Sequence, residues 1–237
     1  ALSYANLGIQ LIEDKSWQQQ YELSLSLFLE TAEVAYLCGK FNQTEELAKI
    51  VLQQAKTLLD KVKIYEIKIL SHVAQGKPLA SVKTAIYVIQ LLVNNFPPHP
   101  TKLKILLAAI ATQFRLHGKP VQELIDLPVI SNSHMLAAMK IMGIAGSPTY
   151  NAAPQFAPLL AFAGVNLSVK YGNTAMSAYA YASYGVMLCG VFGNINAGYK
   201  FGKLALNLLE KFQAKELKAR TFMVFNNFIR HWKEHIR

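Results

Sequence analysis

Acidic side chains are scarce in this chain, and over one long stretch they are missing. Its 237 residues hold 14 Asp and Glu against 24 Lys and Arg, a formal charge of +10. No acid occurs from Leu127 to Leu209, a run of 83 residues, and residues 141–169 and 171–199 carry no charge of either sign. A carboxylate pair for acid–base chemistry is therefore excluded between Asp126 and Glu210. Only two cysteines are present, Cys38 and Cys189. So few in a chain this long fit a reducing compartment, and a cytoplasmic location is expected. Each cysteine precedes a glycine and reads as a small buried residue near a helix end. In that setting the sequons at Asn42 and Asn166 are idle. No phosphate-binding glycine loop occurs, since the Gly-Lys steps run on into Phe41, Pro78, Pro120 and Leu204. No G-x-S-x-G elbow is present either. The lysines are dispersed, with no five-residue basic cluster and no stripe of Arg, which argues against nucleic acid as a partner.

Apolar residues make up 52% of the chain and charged ones 16%, against about 25% charged in an average domain. That is ample material for a core. It also predicts that something outside this chain covers part of the apolar surface. The uncharged stretches do not read as membrane spans. Pro148, Pro154, Pro158, Gly164 and Gly172 break the first, while Asn173, Ser177, Ser183, Asn194, Asn196 and five tyrosines dilute the second. Buried helices are expected instead. The chain starts at Ala1 and stops within a helical pattern at Arg237, so it reads as a segment of a larger protein.

The apolar residues follow the helical period almost throughout, and no alternating run predicts a sheet. Helices are expected near 2–14, 17–38, 43–61, 62–75, 79–94, 101–117, 120–126, 132–145, 155–171, 174–192, 195–212 and 214–236. Gly39, Gly76, Gly118, Gly172 and Gly193 suit the left-handed position after a helix. Pro78, Pro120 and Pro148 suit first turns, and Ser16 with Gln19 and Asn42 with Glu45 have capping-box spacing. The proline-rich stretch 94–100 is the best internal subdivision. It divides one helical-repeat region, 1–237, into sub-blocks of about 1–94 and 101–237. Leu37-Cys38-Gly39-Lys40-Phe41 recurs as Leu188-Cys189-Gly190-Val191-Phe192, an offset of 151. Ala55-x-x-Leu58-Leu59 recurs as Ala205-x-x-Leu208-Leu209 at 150. A quarter of that offset, about 37.5 residues, is the length of a helix-hairpin repeat. Gly39, Gly76 and Gly118 are spaced by 37 and 42. The expected fold is all-α: antiparallel helix hairpins in a tetratricopeptide-like α-solenoid or compact array, irregular near 127–170, with 17–61 and 174–212 as equivalent hairpins.

Two features carry possible chemistry. His231-Trp232-Lys233-Glu234-His235 matches H-x-x-E-H, in which two histidines on one helix face share a zinc. The pattern is short, a third ligand is missing, and Trp232 continues an apolar face, so the structural reading is favoured and no metal or cofactor is expected. The second feature is the tyrosine set. Tyr171, Tyr179, Tyr181 and Tyr184, with Tyr150 upstream, lie among small residues. Close helix approach with polar-tipped aromatics suits an interface or a ligand pocket. These five are the candidate partner- or ligand-binding residues.

Asp14-Lys-Ser-Trp17-Gln-Gln-Gln-Tyr21-Glu-Leu23, Ser147-Pro148-x-Tyr150-x-Ala-Ala-Pro154, Tyr179-Ala-Tyr-Ala-Ser-Tyr-Gly185 and Phe228-Ile-Arg-His-Trp-Lys-Glu-His235 give the chain a resemblance to a known family. It is similar to the helical middle region of very large signalling kinases common in cyanobacteria. There a Ser/Thr protein kinase and an AAA/STAND ATPase precede this region, and a GAF sensor and histidine kinase follow it. The resemblance implies a non-catalytic, tetratricopeptide-like module that transmits signals by docking on neighbouring domains of the parent kinase or on another signalling protein. The alternative expectation is a sensor that holds a small apolar or aromatic ligand within 147–200. The sequence permits an oligomer without specifying one.

Overall fold

The computed structural model describes residues 1–12 and 15–234. The described residues form twelve α-helices and three short 3-10 helices, with no strand among them beyond one isolated bridge between Val129 and Asn173. The helices are α1 (Leu2–Gln10), α2 (Ser16–Gln19), α3 (Tyr21–Leu37), α4 (Phe41–Gln54), α5 (Leu58–Ala74), α6 (Pro78–Leu92), α7 (Lys102–Leu116), α8 (Ser133–Ala152), α9 (Ala157–Tyr171), α10 (Ala175–Gly190), α11 (Ile195–Lys211) and α12 (Lys215–Phe228). No helix of the described residues is long and apolar enough to cross a membrane.

Helix ends follow the glycines. Gly39, Gly76, Gly118, Gly172 and Gly193 all have positive φ. Gly172 is the most constrained: at φ 112° a Cβ would run into the Pro128 carbonyl. The close approach lets Asn173 N donate to Pro128 O (2.7 Å) and Ile130 N donate to Asn173 O (3.0 Å). The buried Asn173 side chain also donates to the Leu124 carbonyl at 2.6 Å. One residue thus staples the 3-10 turn Val121–Asp126 and the extended chain after it to the α9–α10 corner.

The predicted caps are different residues. Asn42 lies inside α4, because the tight turn at Gly39 starts that helix at Phe41. Ser16 is the first residue of α2 and makes no side-chain cap. Capping boxes form instead at Thr57 with Asp60 and at Thr174 with Ser177. Pro78 opens α6 as expected, but Pro148 is inside α8, where its missing N–H leaves the Ile144 carbonyl without a helical donor.

The helices pack largely as sequential pairs, and the chain breaks this order most clearly at α7. α6 packs on α5 and α8, while α7 packs on α9. The linker after α6 breaks the helix but not the core, since one buried cluster joins Val82, Ile89 and Phe96 to Met139, Ile141 and Leu159. Buried Glu66 on α5 meets Lys140 on α8 at 2.8 Å within this same block. Displacing α7 leaves its outer side uncovered: Leu103, Leu106, Leu107, Ile110 and Phe114 are exposed, Phe114 to 80%. Irregularity falls at α7 and also within 127–170, where an extended segment precedes α8, Pro148 lies inside it and the 3-10 turn Pro154–Phe156 joins it to α9.

The 150-residue repeat pairs the α3–α4 hairpin with the α10–α11 hairpin, but out of register. Cys38 caps α3 and is exposed, whereas Cys189 is buried within α10. Ala55 and Leu58 bridge the end of α4 and the start of α5, but Ala205 and Leu208 lie within α11. The shared letters reflect the same small and apolar residues meeting similar needs in different places. The Gly39–Gly76–Gly118 spacing is structural, since these glycines end α3, α5 and α7, one per helix pair.

Candidate functional site

Helices α8, α9, α10 and α12 wall a cavity of about 150 Å³. Small residues let the walls come together. A Cβ on Gly143 would meet the Met176 thioether, one on Gly146 the Tyr179 hydroxyl, and one on Gly164 the Ala180 Cβ. The lining is apolar and sulfur-rich: Met139, Met142, Met176 and Met187 all face it. Unbranched thioethers adapt to guests of varied shape and contact aromatic edges favourably. Tyr150 and Phe228 also contribute to the lining, their ring centroids 6.0 Å apart in an edge-on pair.

Among the described residues no charged side chain lines the cavity. Arg220 of α12 lies just outside it, donating to the Gly143 carbonyl at 2.7 Å and resting 5.4 Å from the Tyr179 ring centre. It clamps α12 onto both α8 and α10. Burial pushes the Tyr179 phenol up, against the opposing effects of the Arg220 charge and a Ser183 hydrogen bond. Four hydroxyl-bearing residues line the space, Thr149, Tyr150, Tyr179 and Ser183. Ser183 donates to the Tyr179 carbonyl at 2.9 Å, but the fully buried Thr149 hydroxyl has no hydrogen-bond partner.

The five candidate tyrosines separate. Tyr150 and Tyr179 line the cavity. Tyr171 is half-buried at the end of α9, with Lys170 Nζ 4.7 Å from its ring centre. Tyr181 and Tyr184 are 0% and 1% exposed, and so cannot touch a partner. Both pack on Phe201, and Tyr184 also packs edge-on against Phe162. Tyr184 accepts from Gln113 at 2.9 Å and Tyr181 donates to Asn173 at 3.3 Å. Burial pushes the Tyr184 phenol up to about 12, opposed by the Gln113 hydrogen bond, and pushes Tyr181 up as well. They are core residues, set there because α10 is buried on nearly every side.

The H-x-x-E-H match loses its geometry. His231 sits in a 3-10 turn beyond α12, stacked on Trp232 with ring centres 5.2 Å apart. Glu234 is held by Arg230 Nε at 2.5 Å and accepts from the Tyr199 hydroxyl. His235 lies outside the described residues. Among the described residues no group of three His, Cys, Asp or Glu is placed to hold a metal.

Across 94% of its length the chain is 21% identical to hybrid signal transduction histidine kinase G of Dictyostelium discoideum. It spans 7% of that protein. No protein-family model matches the chain. No solved structure matches it.

The sequence reading missed the methionines. Met139 and Met142 fall on one face of α8 with Gly143 and Gly146, and four of the six methionines in the chain end up around one space. Methionine clustering beside glycines was the available signal, but on helices this apolar it does not stand out from ordinary core.

Proposed function

We propose that this chain is a non-catalytic helical module that transmits signals within a multidomain signalling kinase by docking on neighbouring domains. The observation that carries this reading is the outer face of α7. Leu103, Leu106, Leu107, Ile110 and Phe114 form a helical row open to solvent, with Lys102, Lys104 and Arg115 beside it. Rows at this spacing dock into grooves of partner proteins or receive a partner helix. The likeness to a hybrid histidine kinase over nearly the whole chain supports the setting. A parent with Ser/Thr kinase, ATPase, GAF and histidine kinase parts, and a tetratricopeptide-like winding of the pairs, belong to the same proposal and rest on the resemblance of the sequence motifs. The test is binding of the chain to the kinase and ATPase domains of such a parent. A photo-crosslinker at position 114 should capture one of them, and Phe114→Glu should abolish binding while leaving the helical content unchanged. Equal binding by Phe114→Glu would refute the α7 surface.

A second reading is favoured by the cavity: the module senses a small ligand between α8, α9, α10 and α12. An occupant there would touch four helices and bear on how Arg220 ties α12 to the rest. In this reading Tyr150 and Tyr179 are ligand-contact residues.

A further inference from the structure

We infer that the cavity takes one small, uncharged aromatic molecule carrying a single hydrogen-bonding group, and that Thr149 receives that group. The inference rests on the sensing reading of the same cavity.

Charge is excluded by the lining. Met139, Met142, Leu160, Val186, Val224 and Phe228 offer a charged group nothing to replace its water, and Arg220, which touches the lining residues Gly143 and Tyr179, is already committed to the Gly143 carbonyl. The volume suits a guest of one ring or two fused rings, although the space opens to solvent beside Tyr150. Dry apolar cavities of roughly 150 Å³ bind benzene-sized guests, which is the volume found here. Aromatic character follows from the walls, where thioethers and the rings of Tyr150, Tyr179 and Phe228 suit the edges and faces of a flat ring.

The polar group follows from Thr149. A threonine inside a helix usually returns its hydroxyl to the carbonyl four residues earlier. Thr31, Thr44, Thr84 and Thr112 do so here, bonding to Leu27, Lys40, Ala80 and Ala108. Thr149 does not, although it is fully buried and one residue beyond Pro148. Thr149 is one of the residues that line the cavity, and its hydroxyl has both a donor and an acceptor to offer. Buried polar groups in folded proteins are nearly always satisfied, and an unsatisfied one calls for a partner. Thr221, the other buried threonine without a partner, does not line the cavity. A ring N–H or phenolic O–H on an otherwise apolar guest supplies the partner that the buried Thr149 hydroxyl lacks.

The test is calorimetric titration of the full 237-residue chain with indole, with indene (the same shape without the N–H), and with benzoate. Wild-type protein should bind one indole per chain. Thr149→Val should weaken indole about five- to tenfold, the size of one neutral hydrogen bond, and leave indene within about twofold. Thr149→Ser should restore the indole preference. Ala157→Phe, at the half-buried start of α9, should fill the space and abolish both. Should Thr149→Val not fold, the wild type still decides, because bound indole should show a nuclear Overhauser effect from its N–H to the Thr149 methyl. If Thr149→Val weakens indole and indene equally, or leaves both unchanged, the role of Thr149 is wrong while the sensing reading stands. Tighter binding of benzoate than of indole overturns the uncharged class. Indole binding that survives Ala157→Phe places it elsewhere and overturns the site. If folded wild type binds neither indole nor indene, both this inference and the sensing reading fall.

Discussion

Truncating Tyr184 to alanine should cost this chain a large share of its stability, although a tyrosine among alanines and serines on an uncharged helix resembles a contact residue. The ring is 1% exposed and packs edge-on against Phe162 and Phe201, with centroids 6.0 and 4.9 Å away. Large-to-small changes of buried aromatics cost about 3–5 kcal/mol through lost transfer energy and the cavity left behind. Losing the edge-to-face partners adds about 0.5–1.5 kcal/mol. The Gln113 hydrogen bond adds little, because Gln113 is exposed and water can take the place of Tyr184. The sum is about 4–6 kcal/mol, a large part of the 5–15 kcal/mol that holds a typical domain together. For a chain of this size it corresponds to a fall in Tm of roughly 10–20 °C. The comparison is Tyr150→Ala, whose ring is 64% exposed and whose loss should stay within about 1 kcal/mol. Urea unfolding followed by far-UV circular dichroism measures both. A Tyr184→Ala loss below about 2 kcal/mol, or a Tyr150→Ala loss equal to it, would overturn the placement of Tyr184 in the core.

Alkaline stability should fall between pH 10 and about 12. The Tyr184 phenol stays neutral in the fold up to about 12, while the unfolded chain ionises near 10, so the stabilisation is complete below 10 and lost as pH rises through the folded value. Tyr184→Phe should flatten that fall, and a pH titration of circular dichroism checks it. Gly172→Ala should cost about 2 kcal/mol or more, from its positive φ and the collision with the Pro128 carbonyl. An unchanged urea midpoint would remove the staple described at Asn173. The purified chain should hold no stoichiometric zinc and hydrolyse neither ATP nor peptides. One zinc per chain by mass spectrometry, lost on His231→Ala, would refute that expectation.

Features set by local backbone chemistry were legible before the structure. All five helix-ending glycines were placed by the rule that only glycine takes a left-handed turn without strain, and Pro78 by its tolerance of a first turn. The failures came from longer range. Asn42 has the side chain and spacing of a cap, but the turn at Gly39 starts α4 two residues too early for it. The Leu-Cys-Gly-x-Phe echo falls at the turn of a helix pair both times but out of register, with Cys38 just past α3 and Cys189 still inside α10. On α10, Tyr179 lines a cavity while Tyr181 and Tyr184 fill a core, a division that depends on which helices arrive from elsewhere in the chain. The uncharged stretches read correctly as buried helices, because charge is excluded from any side of a helix that other helices cover.

The open face of α7 makes the colloidal behaviour of this chain a matter of ionic strength. Lys102, Lys104 and Arg115 stand beside the apolar row, no acid lies on that helix, and the whole chain carries +10. Two copies approaching by these faces meet like charges, and in dilute buffer of about 0.01 M their repulsion reaches about 30 Å. In molar salt the reach shrinks to about 3 Å, while salting-out anions such as sulfate strengthen apolar association. The residues that make α7 available to a partner thus keep identical copies apart only while the solution leaves their charges unscreened.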